Sequence, residues 1–218
     1  MAARRDYFDG CGAAHALDLV GERWALLVVR ELMLGPKRFT DLRVGLPHAS
    51  PNVLSQRLRE LEDAGVLRRR RLPPPAASAV YELTEWGLEL EPVLQTLGRW
   101  AARALPPSDH IGVDSLVLSL RTLFVPERAA GRDLTLQVYL DDQPFRMRVA
   151  EGALDITRGE VPDADVTVRS SPEAFAGVVH MGVPIDDLVT DGSLTITGDR
   201  EALLHFADCV QMPAPLPA

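Results

Sequence analysis

The side chains of Asn52, Ser55, Gln56 and Arg59 follow one another closely along the run SPNVLSQRLRELEDAG. At about 100° per residue they project to one side of a helix, and Leu54, Leu58 and Leu61 take the other. Amide and guanidinium groups carry the donors and acceptors that read base edges, and serine adds a hydroxyl. Arg57 falls nearer the leucine side, where a phosphate or structural role suits it better than base reading. Further on, four consecutive arginines, Arg68–Arg71, stand in VLRRRRL. Such a run is often only a solvated face. On a strand, however, alternation turns two of the four to any one side. Two are then left for phosphate, and two pair with acids such as Glu62 and Glu82. The expected phosphate anchors are Arg38, Arg57, Arg69 and Arg71, joined by the amides at the helix start after Ser50. This is the non-covalent chemistry of gripping double-stranded DNA.

The surrounding sequence supplies elements to hold these groups. GAAHALDLV (12–20) and RWALLVVRELML (23–34) read as helices, the second apolar around most of its circumference and so central. Gly35-Pro36 stops it, and RFTDLRVGL gives a short third helix. Ser50 as N-cap and Pro51 at the first helical position open the polar-faced helix, and Gly65 ends it. VLRRRRL and AVYELT are short and β-prone, and PPPAAS joins them as a stiff exposed loop, which makes a wing-like hairpin. Thr84 caps a last helix over 85–105 with a stripe of Leu90, Leu94, Leu97, Ala101 and Ala104, widened by Val93 and Trp100. Pro92 is placed to kink or restart it. So wide an apolar stripe has little use inside a small domain, and a second copy of the chain is its expected partner.

Charge divides the chain in two. Residues 1–105 hold 15 basic and 13 acidic residues (net +2), and residues 106–218 hold 8 and 18 (net −10), which together make the whole chain's −8. Within Arg38–Arg71 there are 8 basic and 4 acidic residues. An acidic protein can therefore carry a basic face, and it is the local face that meets phosphate. The Pro106-Pro107 pair marks the expected boundary between domains at 1–105 and 106–218. A hydrophobic fraction of 46% and a charged fraction of 25% suit a soluble globular chain. MAARRDYFDG has no apolar stretch, so no secretory leader or membrane association is expected. Only Cys11 and Cys209 are present, without a CxxC pair, which suits reduced thiols in the cytoplasm.

Residues 11–100 resemble the HxlR-type winged helix-turn-helix regulators, relatives of the MarR family. The likeness rests on Cys11, LDLVGERWALLVVREL, GPKRFTDL, VLSQRLRELEDAGVLRR and VYELTEWGLELEPVL with its later tryptophan. It implies a bacterial transcription factor acting as a homodimer on a palindromic operator. The recognition helix would enter the major groove, and the wing would lie along the flanking minor groove or backbone. The chain departs from that family at LPHAS and at its proline-rich loop tip. Some members use a cysteine at the position of Cys11 to sense oxidants. Here Asp6, Asp9 and Asp18 stand near it in sequence and oppose a thiolate, so an inert interfacial thiol is the expectation, with redox sensing by Cys11 as the alternative.

In the second half, LTLQVYL, FRMRVA, ALDITRG, ADVTVRS and GSLTITGD read as strands of an antiparallel sheet, and SPEAFAGVVHMG and REALLHFADCVQM as helices. The order resembles the sterol-carrier-protein-like domain, so the fold class expected overall is α+β. That resemblance implies an apolar tunnel lined by Phe124, Phe145, Met147, Phe175, Val179, Met181, Leu188 and Phe206, holding a hydrophobic small-molecule effector. An ordinary packed core explains the same residues equally well. Two i, i+4 pairs, Cys11 with His15 and His205 with Cys209, fall short of the three or four ligands that zinc needs, so no metal and no cofactor is expected. The chain lacks GxSxG, P-loop, GxGxxG and HExxH patterns, and no enzyme activity is expected. The competing function is a carrier of lipids or other hydrophobes with a winged-helix dimerisation module.

Overall fold

The computed structural model describes residues 6–75, 77–104 and 110–216, and the chain divides into two compact units, one ending at Leu94 and the next beginning at Gln95. The expected boundary at Pro106-Pro107 lies outside the described residues.

The first unit opens with α1 (Gly12–Val20) and α2 (Ala25–Leu32). Ala25, Val28, Val29 and Leu32 are buried, so α2 runs through the middle of the unit. Its Glu31 is buried as well, and it pairs with Arg30 at 2.9 Å and Lys37 at 2.7 Å. After α3 (Phe39–Gly45), helix α4 (Pro51–Asp63) begins at Ser50, whose Oγ accepts from the Val53 amide at 3.3 Å. Leu54, Leu58 and Leu61 are buried as their spacing predicts. β1 (Leu67–Arg71) and β2 (Ala79–Leu83) pair antiparallel, with Arg68 opposite Glu82 and Arg69 opposite Tyr81. Lys37 extends this hairpin by an isolated bridge to Tyr81.

The long helix expected over 85–105 is broken into α5 (Glu85–Leu88) and α6 (Glu91–Ala101). The break falls just before Pro92, which has no amide proton and so fits only the first turn of a helix. Thr84 Oγ1 accepts from the Gly87 amide at 3.0 Å and donates to the Gly65 carbonyl at 2.8 Å, so one residue caps α5 and ties down the end of α4. Gly87 is required here, because a Cβ on it would lie 2.0 Å from the Val66 carbonyl oxygen.

In the second unit α7 (Val113–Leu123) precedes a 3-10 turn, Pro126–Ala129. There follow β3 (Leu134–Leu140), β4 (Gln143–Ala150), β5 (Ala153–Arg158), β6 (Val166–Ser170), α8 (Pro172–Met181), α9 (Ile185–Thr190), β7 (Leu194–Gly198) and α10 (Arg200–Asp208). The five strands form one sheet in the order β5-β4-β3-β6-β7. The pairs are antiparallel except β3 with β6. β3 to β5 make a meander, so the chain must return past two strands to reach the free edge of β3, and it arrives running parallel. Helices α8 and α10 meet through Phe175 and Phe206, whose ring centroids lie 6.3 Å apart.

The tunnel expected here is corrected by the packing. Phe145, Met147, Phe175 and Phe206 are fully buried and Val179 nearly so, as members of a filled core. Phe124 and Leu188 are half-buried. Met181, the last residue of α8, is 77% exposed, because Phe175, Val178 and Val179 already occupy the inward face. A surface groove of about 390 Å³ does exist, between α8, the start of α9 and α10. Of the eight expected lining residues, Val179 alone borders it. Among the described residues no helix is long and apolar enough to cross a membrane.

Candidate nucleic-acid interface

Helix α4 presents its polar residues to differing degrees. Asn52 and Arg59 are exposed, and Ser55 and Gln56 are half-buried. Ser50 is exposed but already committed as the cap. The phosphate role expected of Arg57 gives way to a structural one. Arg57 is only 8% exposed, and its Nη1 lies 2.5 Å from a Glu60 oxygen and 3.4 Å from a Glu22 oxygen. The other Glu60 oxygen accepts from Gln56 Nε2 at 2.9 Å. Sequence reading passed over Glu22 and Glu60. For Glu60 the signal was present, since it stands three residues after Arg57 and four after Gln56, the spacings at which helical side chains meet. Glu22 lies in the turn between α1 and α2, and only the fold brings it to Arg57.

On the hairpin, strand alternation divides the arginines. Arg68 and Arg70 both reach Glu82, the first at 2.7 Å. The hydrogen bond from Arg70, with that from Arg68, outweighs the loss of water at Glu82 and holds its carboxyl below the usual range. Arg69 and Arg71 stand on the opposite face, and among the described residues neither meets a carboxylate. The Arg69 guanidinium lies 6.0 Å from the centre of the Tyr81 ring, and Arg71 Nε donates to the Ala77 carbonyl at 3.1 Å. Glu62, expected to pair with an arginine side chain, accepts instead from the Arg69 amide at 3.2 Å. Arg38 is exposed at the start of α3, its amide donating to Asp41 at 3.0 Å.

Cys11 is the residue before α1 and is exposed. Its sulfur makes no capping hydrogen bond, yet the amides of Ala13 and then Ala14 hold the thiol pKa below its ordinary value. The nearby aspartates Asp6, Asp9 and Asp18 accept from the amides of Phe8, Cys11 and Tyr7. Cys209 is the opposite case, buried, donating to the His205 carbonyl at 3.2 Å, with its thiol pKa raised by burial. Among the described residues no group of three or more histidine, cysteine, aspartate or glutamate side chains is placed to hold a metal ion.

A short helix, a turn, a serine-capped helix with buried leucines, and a basic two-stranded hairpin define a winged helix-turn-helix protein. Residues 19–109 match the HxlR-like helix-turn-helix family and residues 114–216 the alkyl sulfatase C-terminal family. The uncharacterised HTH-type transcriptional regulator YvaP of Bacillus subtilis is 39% identical over 93 residues, covering 43% of this chain and 86% of that protein. The HTH-type transcriptional regulator YodB of the same organism is 38% identical over 96 residues, covering 44% and 86%. The reduced form of YodB has also been solved; it is 36% identical, with a TM-score of 0.40 over 46% of this chain and 99% of that one. A double mutant of the sec-alkyl sulfatase PisA1 aligns with a TM-score of 0.42 and 24% identity, over 52% of this chain but only 18% of that enzyme.

The chain belongs to the HxlR-like helix-turn-helix family and is a transcriptional regulator of that type. The match over 114–216 fits a sterol-carrier-protein-like second half.

Proposed function

We propose that the chain acts in the bacterial cytoplasm as a homodimer on a palindromic duplex operator, with α4 in the major groove and the hairpin along the adjoining backbone. The observation that carries this reading is α4 itself, which buries three leucines and turns Asn52, Ser55, Gln56 and Arg59 the other way, while Arg69 and Arg71 occupy the hairpin face turned from Glu82. Base reading falls to those four side chains, and phosphate anchoring to Arg38, Arg69, Arg71 and the amides after Ser50. Dimerisation is supported by apolar side chains left on the surface. Leu17 of α1, Trp86 and Leu88 of α5, and Val93, Leu97 and Trp100 of α6 are all exposed, Trp100 by 73%. A soluble monomer has little reason to expose so many.

Control by a hydrophobic effector is supported by the α8–α10 groove, where Val179, Val183, Ile185 and Leu204 make apolar walls. Native mass spectrometry of the purified chain tests both points, through a mass of two chains and any retained small molecule. A carrier of hydrophobes would hold ligand without binding DNA.

Binding to the chain's own promoter region, against random duplex over a salt series, tests the division of labour. Arg59→Ala is expected to cost about 1–3 kcal/mol and to relax preference at one base pair. Arg69→Ala is expected to weaken all sequences alike and to lower the salt slope by about one. If both variants lose cognate and random DNA equally, the assignment of roles is wrong.

A second reading, control through the Cys11 thiol, is favoured by its exposure and lowered pKa. A thiol-specific electrophile at neutral pH should modify Cys11 while Cys209 stays protected, and should weaken operator binding. The same treatment of Cys11→Ser should leave binding unchanged, and an equal loss in that variant would refute this reading.

A further inference from the structure

We propose that Glu60 is a positioning residue for base recognition, which orients the Gln56 amide and is itself held by Arg57. The inference rests on the reading of α4 as the groove-entering helix. A free glutamine side chain turns about several bonds, and its amide can present oxygen and nitrogen in either order. A carboxylate can only accept, so the group facing Glu60 must be Nε2, and the 2.9 Å contact is made by that atom. Glu60 thereby leaves Gln56 with its carbonyl oxygen and one N–H in a fixed arrangement. That is the donor and acceptor pair which meets N6 and N7 of an adenine.

A bare carboxylate beside a groove would repel the backbone. Here the second Glu60 oxygen lies 2.5 Å from Arg57, which is anchored in turn 3.4 Å from Glu22. Arg57 is buried among the α4 leucines, so the chain Glu22, Arg57, Glu60, Gln56 runs from the exposed turn before α2, through a buried guanidinium, to the reading face. This connection explains an arginine on the buried flank of the helix, which neither packing nor phosphate contact requires.

The test is selection of bound duplexes from a randomised library, with the full-length native chain, Gln56→Ala, Glu60→Ala, Glu60→Gln and the double alanine variant, alongside thermal unfolding of each. Glu60→Ala should lose about ten-fold in preference for adenine at the position that Gln56→Ala also affects. Its binding to random duplex should hold or tighten, because a negative charge has gone. The double variant should select no worse than Gln56→Ala, and Glu60→Gln, whose amide oxygen still accepts, should recover part of the preference. Preference retained in Glu60→Ala, or lost further in the Gln56→Ala background, would overturn the proposal. So would a loss on all sequences that tracks a lowered melting temperature. A native chain that selects a site which Gln56→Ala leaves unchanged removes Gln56 as a reader and Glu60 with it. A native chain that selects no site at all refutes the proposed function itself.

Discussion

Replacing Glu31 by alanine is expected to destabilise the first unit by about 3–5 kcal/mol, the usual result of removing one partner from a buried ion pair. Burial by itself pushes the Glu31 carboxyl up, but Lys37 and Arg30 outweigh it and hold the group below the usual carboxylate range. Without Glu31 both cations lose their buried partner, and Lys37 is the residue that bridges to Tyr81 of β2. Hydrogen exchange across α2 and β2 during urea unfolding should report the loss. A change under about 1 kcal/mol would mean that the cluster contributes no more than an exposed pair. Gly45→Ala should reproduce part of the effect from the other side, because a Cβ there would lie 2.1 Å from a Glu31 oxygen. A folded-state carboxyl held low contributes stability above its ordinary pKa, and that contribution is lost as the pH falls.

The second large effect is an acid sensitivity of the second unit, centred on His180. Burial lowers its pKa from 6.5 to about 4. Ser119 Oγ donates to the Leu116 carbonyl at 2.7 Å, so it accepts at 3.2 Å from His180 Nε2, and the imidazole is neutral. The folded state resists protonation and the unfolded chain does not. The contribution of His180 is therefore complete above pH 6.5, is lost as the pH falls through the window down to about 4, and is level below that. The whole window corresponds to about 3 kcal/mol, of which about 2 kcal/mol goes between pH 7.5 and 5. Comparing unfolding of the second unit at those two pH values, for the native chain and His180→Gln, isolates this contribution from that of the carboxylates. Equal losses in both proteins would rule His180 out.

The recognition helix was legible because each local signal agreed: a serine cap, a proline at the first position, leucines at helical spacing and a glycine after the end. The arginine run was legible in kind, since alternation fixes two per face, but not in partners. Glu82 takes two side chains, whereas Glu62 takes only an amide. Glu31 could not be read. In sequence it is a charged residue between Arg30 and Leu32, and its burial depends on Lys37 reaching it after the chain turns at Gly35-Pro36. The tunnel failed for a different reason. Phe145, Met147, Phe175 and Phe206 were correctly read as interior, but hydrophobicity does not distinguish a side chain that lines a void from one that fills it. Met181 was misassigned because its type suggests burial, while its place at the end of α8 faces it outward.

The two acidic anchors lie at opposite ends of α2. Glu22, in the turn before it, pairs with Arg57 of the helix that would read bases, and Glu31, in its last turn, pairs with Lys37, which bridges to the hairpin that would hold the backbone. α2 thus serves as a ruler that sets the gap between reader and clamp. A tilt of this one rod would detune both at once, without a change in any residue that touches the duplex.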